Sequence, residues 1–79
     1  MSIIILNNPL PQIGRLEIHA PKMKDADTIF FFVKINGTSA SIELKSDDTW
    51  RTQGIHGRFP KTISTLIQQQ IKYRYLGVL

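Results

Sequence analysis

The segment with the strongest chemical character runs from Trp50 to Lys61, where basic, aromatic and glycine residues alternate. Cationic side chains neutralise phosphates, and planar side chains stack on bases. Two glycines allow close backbone approach to a phosphate, and a helix starting near Pro60 adds the positive end of its dipole. The segment therefore predicts an anion site, with DNA or RNA as the favoured partner. Its candidate contact residues are Trp50, Arg51, His56, Arg58 and Lys61.

The charge of the chain is segregated along its length. The net charge is +4, yet all six acidic residues lie within the first 48 positions. The last 31 residues contain five basic residues and no acidic one, and Lys72 and Arg74 extend the candidate interface to the end of the predicted helix. Both also complement the helix dipole there, so their positions have a structural explanation too. An acidic protein is the alternative partner, and in a third interpretation the basic residues only keep the protein soluble while Trp50 and Phe59 pack inside.

Catalytic patterns are weak in this sequence. Asp27, followed by Glu43 and Lys45, has the spacing of a magnesium-dependent nuclease. The strand register derived below places Asp27 on the opposite face from the other two, which argues against that chemistry. His19 and His56 have no partner at metal-ligand spacing, and without cysteine no thiolate site or disulfide can form. We therefore expect neither an enzyme nor a cofactor nor a metal site.

The dipeptide Asn36-Gly37 predicts the central element that must position these residues. A two-residue type I′ turn needs positive φ at both positions, which Asn-Gly tolerates best. If Ile35 pairs with Thr38, Phe31 lies opposite Ile42 and the apolar residues of both strands share one face. The other face then has Lys34, Ser39, Ser41, Glu43 and Lys45.

Phe30 and Phe32 also fall on this second face and need an explanation. The favoured one is packing, either beneath the proline-rich segment 7–13, beneath another strand or in a contact with a second copy, because small domains seldom leave aromatic pairs exposed. The alternative is a stacking platform for the bases of a single-stranded nucleic acid. The first explanation makes the protein an interaction module, a homodimeric adaptor or an inhibitor.

The remaining patterns predict strands first and a helix last. Residues 3–6 form a short apolar strand, and residues 15–20 alternate with Leu16 and Ile18 facing the core. Residues 46–60 are predicted to be a long connection, with a short strand at 50–53 as the alternative. Apolar residues at helical spacing predict a helix over about 60–74, namely Ile63, Leu66, Ile67 and Ile71.

The sequence thus predicts one small α+β domain over residues 1–79: an antiparallel sheet of three to five strands with the Asn36-Gly37 hairpin, packed by one C-terminal helix. The absence of cysteine favours a cytoplasmic location, and no apolar run is long enough for a membrane helix. The predicted function is non-catalytic binding, of nucleic acid first and of protein second.

Overall fold

The structure, a computed structural model, describes residues 3–55, 59 and 62–75. In these ranges it contains the strands β1 (Ile4–Leu10), β2 (Ile13–Ile18), β3 (Lys22–Asp25), β4 (Thr28–Ile35), β5 (Thr38–Lys45) and β6 (Trp50–Gln53), and the helix α1 (Thr62–Arg74). The strands form one antiparallel sheet in the order β1-β2-β4-β5-β6. β3 continues the line of β2 along the same edge of β4. The predicted α+β class is confirmed, while the predicted three to five strands are too few.

The predicted hairpin is confirmed, including its register. Asn36 and Gly37 have φ of 51° and 82°, as a type I′ turn requires. Ile35 pairs with Thr38 and Phe31 pairs with Ile42. The side chains on the Phe31 side of this hairpin are therefore buried together.

Asn36 also links the β1–β2 hairpin to this turn by hydrogen bonds. Its Oδ1 accepts hydrogen bonds from the backbone N–H of Gly14 at 2.8 Å and of Arg15 at 3.3 Å, and its Nδ2 donates to the Gln12 carbonyl at 3.1 Å. The backbone N–H of Asn36 donates to the Arg15 carbonyl at 2.9 Å. One turn residue thus connects the β1–β2 hairpin with the β4–β5 hairpin.

The helix covers the Phe31 side of the sheet. Ile63, Ile67 and Ile71 are buried in the same core as the inward side chains of β1, β2, β4 and β5, and Leu66 is half-buried against it. The Tyr75 hydroxyl donates to the Ile18 carbonyl at 3.3 Å. The predicted helix is confirmed from Thr62 to Arg74, while Pro60 and Lys61 lie outside the described residues. No helix in the described ranges is long and apolar enough to cross a membrane.

Several strand predictions need correction. The strand predicted at 15–20 is β2, Ile13–Ile18: it begins where Ile13 pairs with Leu10, and its pairing with β4 ends at Ile18. β1 extends to Leu10 because its pairing with β2 continues past Asn7 through an irregularity. The alternative strand at 50–53 is present as β6, since Trp50 to Gln53 pair with β5. Lys22–Asp25 was not predicted, because a segment with one apolar residue among four lacks the strand pattern and depends on β4 for its hydrogen bonds.

Candidate nucleic-acid interface

One face of the sheet lies opposite the helix, and we call it the open face. Strand register assigns its side chains, because residues directly paired across strands point to the same side. Phe30 is paired with Lys22 of β3 and Glu43 of β5, and Glu43 is paired with Arg51 of β6. The open face includes Glu17, His19, Lys22, Lys24, Phe30, Phe32, Lys34, Ser39, Ser41, Glu43, Lys45, Arg51 and Gln53.

Phe30 and Phe32 form the centre of this face and are both half-buried. The His19 ring contacts Phe32 edge-on, with centroids 5.1 Å apart and planes at 64°. The predicted cover by residues 7–13 is wrong, because these residues pair at the level of Asn36, at the end of the sheet. The two phenylalanines therefore keep part of their ring surface outside the core.

The phenylalanine pair separates two shallow depressions. The first has a volume of about 380 Å³ and lies between the end of β2 and the start of β3. It is lined by Ile3, His19, Ala20, Lys22, Phe30 and Phe32. The second lies towards β6 and is lined by both phenylalanines with Ser39, Ala40, Ser41, Gln53 and Gly54. The His19 ring, at 64° to the Phe32 ring, lines the first depression together with both phenylalanines.

Basic side chains outnumber acidic ones around the phenylalanines. Two of the three acidic groups are paired with cations: Glu43 accepts a 2.7 Å hydrogen bond from Lys24 Nζ, and Glu17 accepts a 3.0 Å bond from Arg15 Nε. The third, Asp25, shares this face through its pairing with Thr28 and accepts a 2.8 Å hydrogen bond from the Asp27 backbone N–H. The Arg15 hydrogen bond lowers the pKa of Glu17 below its ordinary value. In the described part of the chain, no ion pair engages the other cations of this face, which are Lys22, Lys34, Lys45 and Arg51. The open face is therefore positively charged around an apolar centre.

The structure distributes the sequence-predicted site residues over two sides of the sheet. Arg51 is exposed on the open face, while Trp50 points the other way and packs against the core, as Phe59 also does. Lys72 and Arg74 are exposed on the helix, across the sheet from Arg51. His56, Arg58 and Lys61 lie outside the described residues. Arg51 is thus not brought together with the basic end of the helix.

Several members of the open face were not predicted from the sequence. Lys34 and Lys45 could have been added from the hairpin register, which already placed them beside the phenylalanines. Lys22 and Lys24 had no such signal, because their strand is nearly all polar. His19 was placed on the solvent side of its strand, but its contact with Phe32 depends on the pairing of β2 with β4.

Residues of the nuclease-like pattern make other contacts in the structure. Asp27 lies in the turn before β4, where its carbonyl accepts a hydrogen bond from the Ser46 N–H at 2.8 Å. Glu43 lies on the open face and pairs with Lys24. Within the described ranges, no group of three histidine, aspartate or glutamate side chains is arranged to hold a metal ion.

Comparison of the chain with protein-family models, with curated proteins and with solved structures finds no match.

Proposed function

We propose that the protein binds single-stranded nucleic acid on the open face. The observation that supports this most directly is the pair Phe30 and Phe32, partly exposed on the sheet face opposite the helix and surrounded by basic side chains. Stacking of bases on aromatic rings, with cations tracking the backbone, is the common physical basis of single-strand binding. Stacked bases of a duplex cannot reach a flat sheet in this way, so the proposal specifies a single strand.

The charge of the open face favours a nucleic acid over a protein in this role. The central part of a protein interface is depleted in lysine, because desolvating an ammonium group is costly. Lys22 and Lys34, which make no ion pair among the described residues, instead lie beside the phenylalanines. Here they can contact phosphates while remaining hydrated. The two depressions beside the phenylalanine pair give successive bases a place on either side.

The proposal is tested by fluorescence anisotropy with a labelled single-stranded oligonucleotide, and with the same sequence as a duplex, across a salt series. We expect preference for the single strand, and a slope of log affinity against log salt of about −2 to −3.5 if three to five phosphates are contacted. No binding to the single strand at low salt would overturn the proposal.

Matched charge variants identify the surface used. The double variant Lys22→Gln with Lys34→Gln removes two open-face cations and should make the slope shallower by about 1.4. The control, Lys72→Gln with Arg74→Gln, removes two cations from the helix and should leave the slope unchanged. If only the helix variant changes the slope, the interface is the one predicted from the sequence, formed by the segment 50–61 and the helix end.

A further inference from the structure

The free edges of the sheet differ in length and charge. Among the described residues, hydrogen-bonded neighbours are missing on the outer side of β1, β3 and β6. β3 and β6 have four residues each, including Lys22, Lys24 and Asp25 in the first and Arg51 in the second. β1 has seven residues, and none of them is charged. Short length and charged side chains are the usual protection of a sheet edge against pairing, so β1 is the unprotected one.

β1 also presents apolar surface at this edge. Ile3 and Ile5 are 38% and 45% exposed. Ile5 is paired with Glu17 of β2, which places it on the open-face side, next to the free backbone edge. Asn8 has a positive φ of 52° and Pro9 lacks an N–H, so the regular pairing segment is Ile4–Asn7.

We propose that this edge pairs with β1 of a second copy of the chain. Each copy has a net charge of +4, so two copies repel one another wherever charged surfaces meet. At β1 they can approach without placing like charges in contact, because residues 3–10 are uncharged. Because this edge has no cationic side chain, it offers a nucleic acid no electrostatic attraction.

The symmetry of such a pair limits its size and orients its faces. Antiparallel pairing of β1 with itself places a two-fold axis perpendicular to the sheet, and the interface closes because each copy uses its edge once. Around an axis near Ile5, the isoleucines of the two copies cover one another. Both open faces then lie on the same side of one continuous sheet.

The test is sedimentation equilibrium of the full chain over a concentration series. We expect the average mass to rise from 9.0 kDa to twice that value and to level off there. Ile5→Lys should hold the mass at that of one chain, because it sets two ammonium groups against each other in the dimer. Its exposed position beside Glu17 lets the monomer accept the lysine. The matched control Met23→Lys changes a 66% exposed residue on β3 and should dimerise normally.

Hydrogen exchange of the unaltered chain gives a second readout that does not depend on any variant. The amides of Ile4–Asn7 that point to the free edge, and so make no bond to β2, should gain protection as concentration rises. A chain that stays at 9.0 kDa throughout, that grows beyond two copies, or whose dimer survives Ile5→Lys would overturn the proposal. High salt should not weaken this dimer, whereas it should weaken nucleic-acid binding, so the two proposals can fail separately.

Discussion

Lys24 and Glu43 form an ion pair across the central strand β4, with Lys24 Nζ donating to Glu43 Oε2 at 2.7 Å. The lysine is half-exposed, but Glu43 is only 4% exposed. Glu43 lies between Phe30 on β4 and Arg51 on β6. The lysine of the short strand β3 thus satisfies a buried carboxylate that belongs to β5.

The first prediction concerns the stability that this pair contributes. Lys24→Met should lower the free energy of unfolding by about 1–2 kcal/mol, because it leaves a buried carboxylate short of a hydrogen-bond partner. Glu43→Gln keeps an acceptor and should cost less. Lys22→Met on the same strand is the control, since Lys22 has no ion pair in the described part of the chain. Urea denaturation measures all three, and equal effects of the two lysine variants would contradict the prediction.

The second prediction separates stacking from charge on the open face. Replacing Phe30 and Phe32 together by leucine keeps apolar surface but removes both rings. Single-strand affinity should fall at least about 5-fold, since stacking of even one base contributes about 1–3 kcal/mol. The salt slope should stay the same because no phosphate contact is lost. Phe32→Tyr keeps the ring and should bind normally; unchanged affinity of the leucine variant would count against stacking.

The third prediction concerns the helix. Ile67 is fully buried against the sheet, and Ile67→Ala should destabilise the protein by about 2–5 kcal/mol through lost transfer energy and the resulting cavity. Leu66→Ala changes a half-buried neighbour on the same helix and should cost clearly less. Both are measured by chemical denaturation, and the reverse order would mean that the helix packs in another rotation.

The fourth prediction contrasts two glycines with positive φ. Gly37 has φ of 82°, and a Cβ at this position would meet only open space, so Gly37→Ala should cost about 1–2 kcal/mol of backbone strain. Gly54 has φ of 79°, and a Cβ there would lie 3.1 Å from the Ser39 carbonyl oxygen and 3.2 Å from Ala40 Cα. Gly54→Ala should therefore cost more, about 2–4 kcal/mol. Thermal unfolding of the two variants measures the difference, and equal losses would show that the contact with β5 adds nothing to the strain.

The fifth prediction is a loss of stability in acid. Hydrogen bonds from Thr49 lower the pKa of Asp47, and the Asp27 backbone N–H lowers the pKa of Asp25. A lowered folded-state pKa stabilises the protein above the ordinary pKa of the unfolded chain, about 4, and this stabilisation disappears as the pH falls through the folded value. The urea midpoint should therefore be flat above about pH 5 and fall below about pH 4.

A variant assigns part of this acid effect to one carboxyl group. Asp47→Asn retains an oxygen for the Thr49 N–H but cannot titrate, so its midpoint should fall less on acidification. Asp27→Asn is the control, because only the backbone of Asp27 is engaged in the hydrogen bonds found among the described residues. An identical acid response of Asp47→Asn and the unaltered chain would show that other groups dominate.

The parts of the fold that could be predicted from the sequence are those determined by local chemistry. The Asn36-Gly37 turn fixed the register of β4 with β5, and helical spacing identified the buried face of Ile63, Ile67 and Ile71. β3 was not predicted because three of its four residues are charged, and because the contact of Lys24 with Glu43 depends on β5, which is distant in the sequence.

The candidate site was predictable only in part for the same reason. The register placed Phe30 and Phe32 on the face opposite the core, but it could not say what covered them. That depends on where residues 7–13 and the helix pack, which is a tertiary property. Charge segregation along the chain predicted the interface in the last 31 residues. Lys22 and Lys24, from the more acidic part of the chain, nevertheless lie near the phenylalanines.

The bonds of Asn36 to residues 12, 14 and 15 couple two turns of the sheet. Both hairpins close over two residues, between Leu10 and Ile13 and between Ile35 and Thr38, so loop closure costs each about the same. The acceptor and donor that hold the first hairpin become correctly oriented only when this turn exists. Docking of the N-terminal hairpin and formation of the Asn36 turn are therefore thermodynamically coupled, since one amide side chain serves both turns. This end of the sheet gains its cooperativity from a single polar side chain rather than from apolar packing alone.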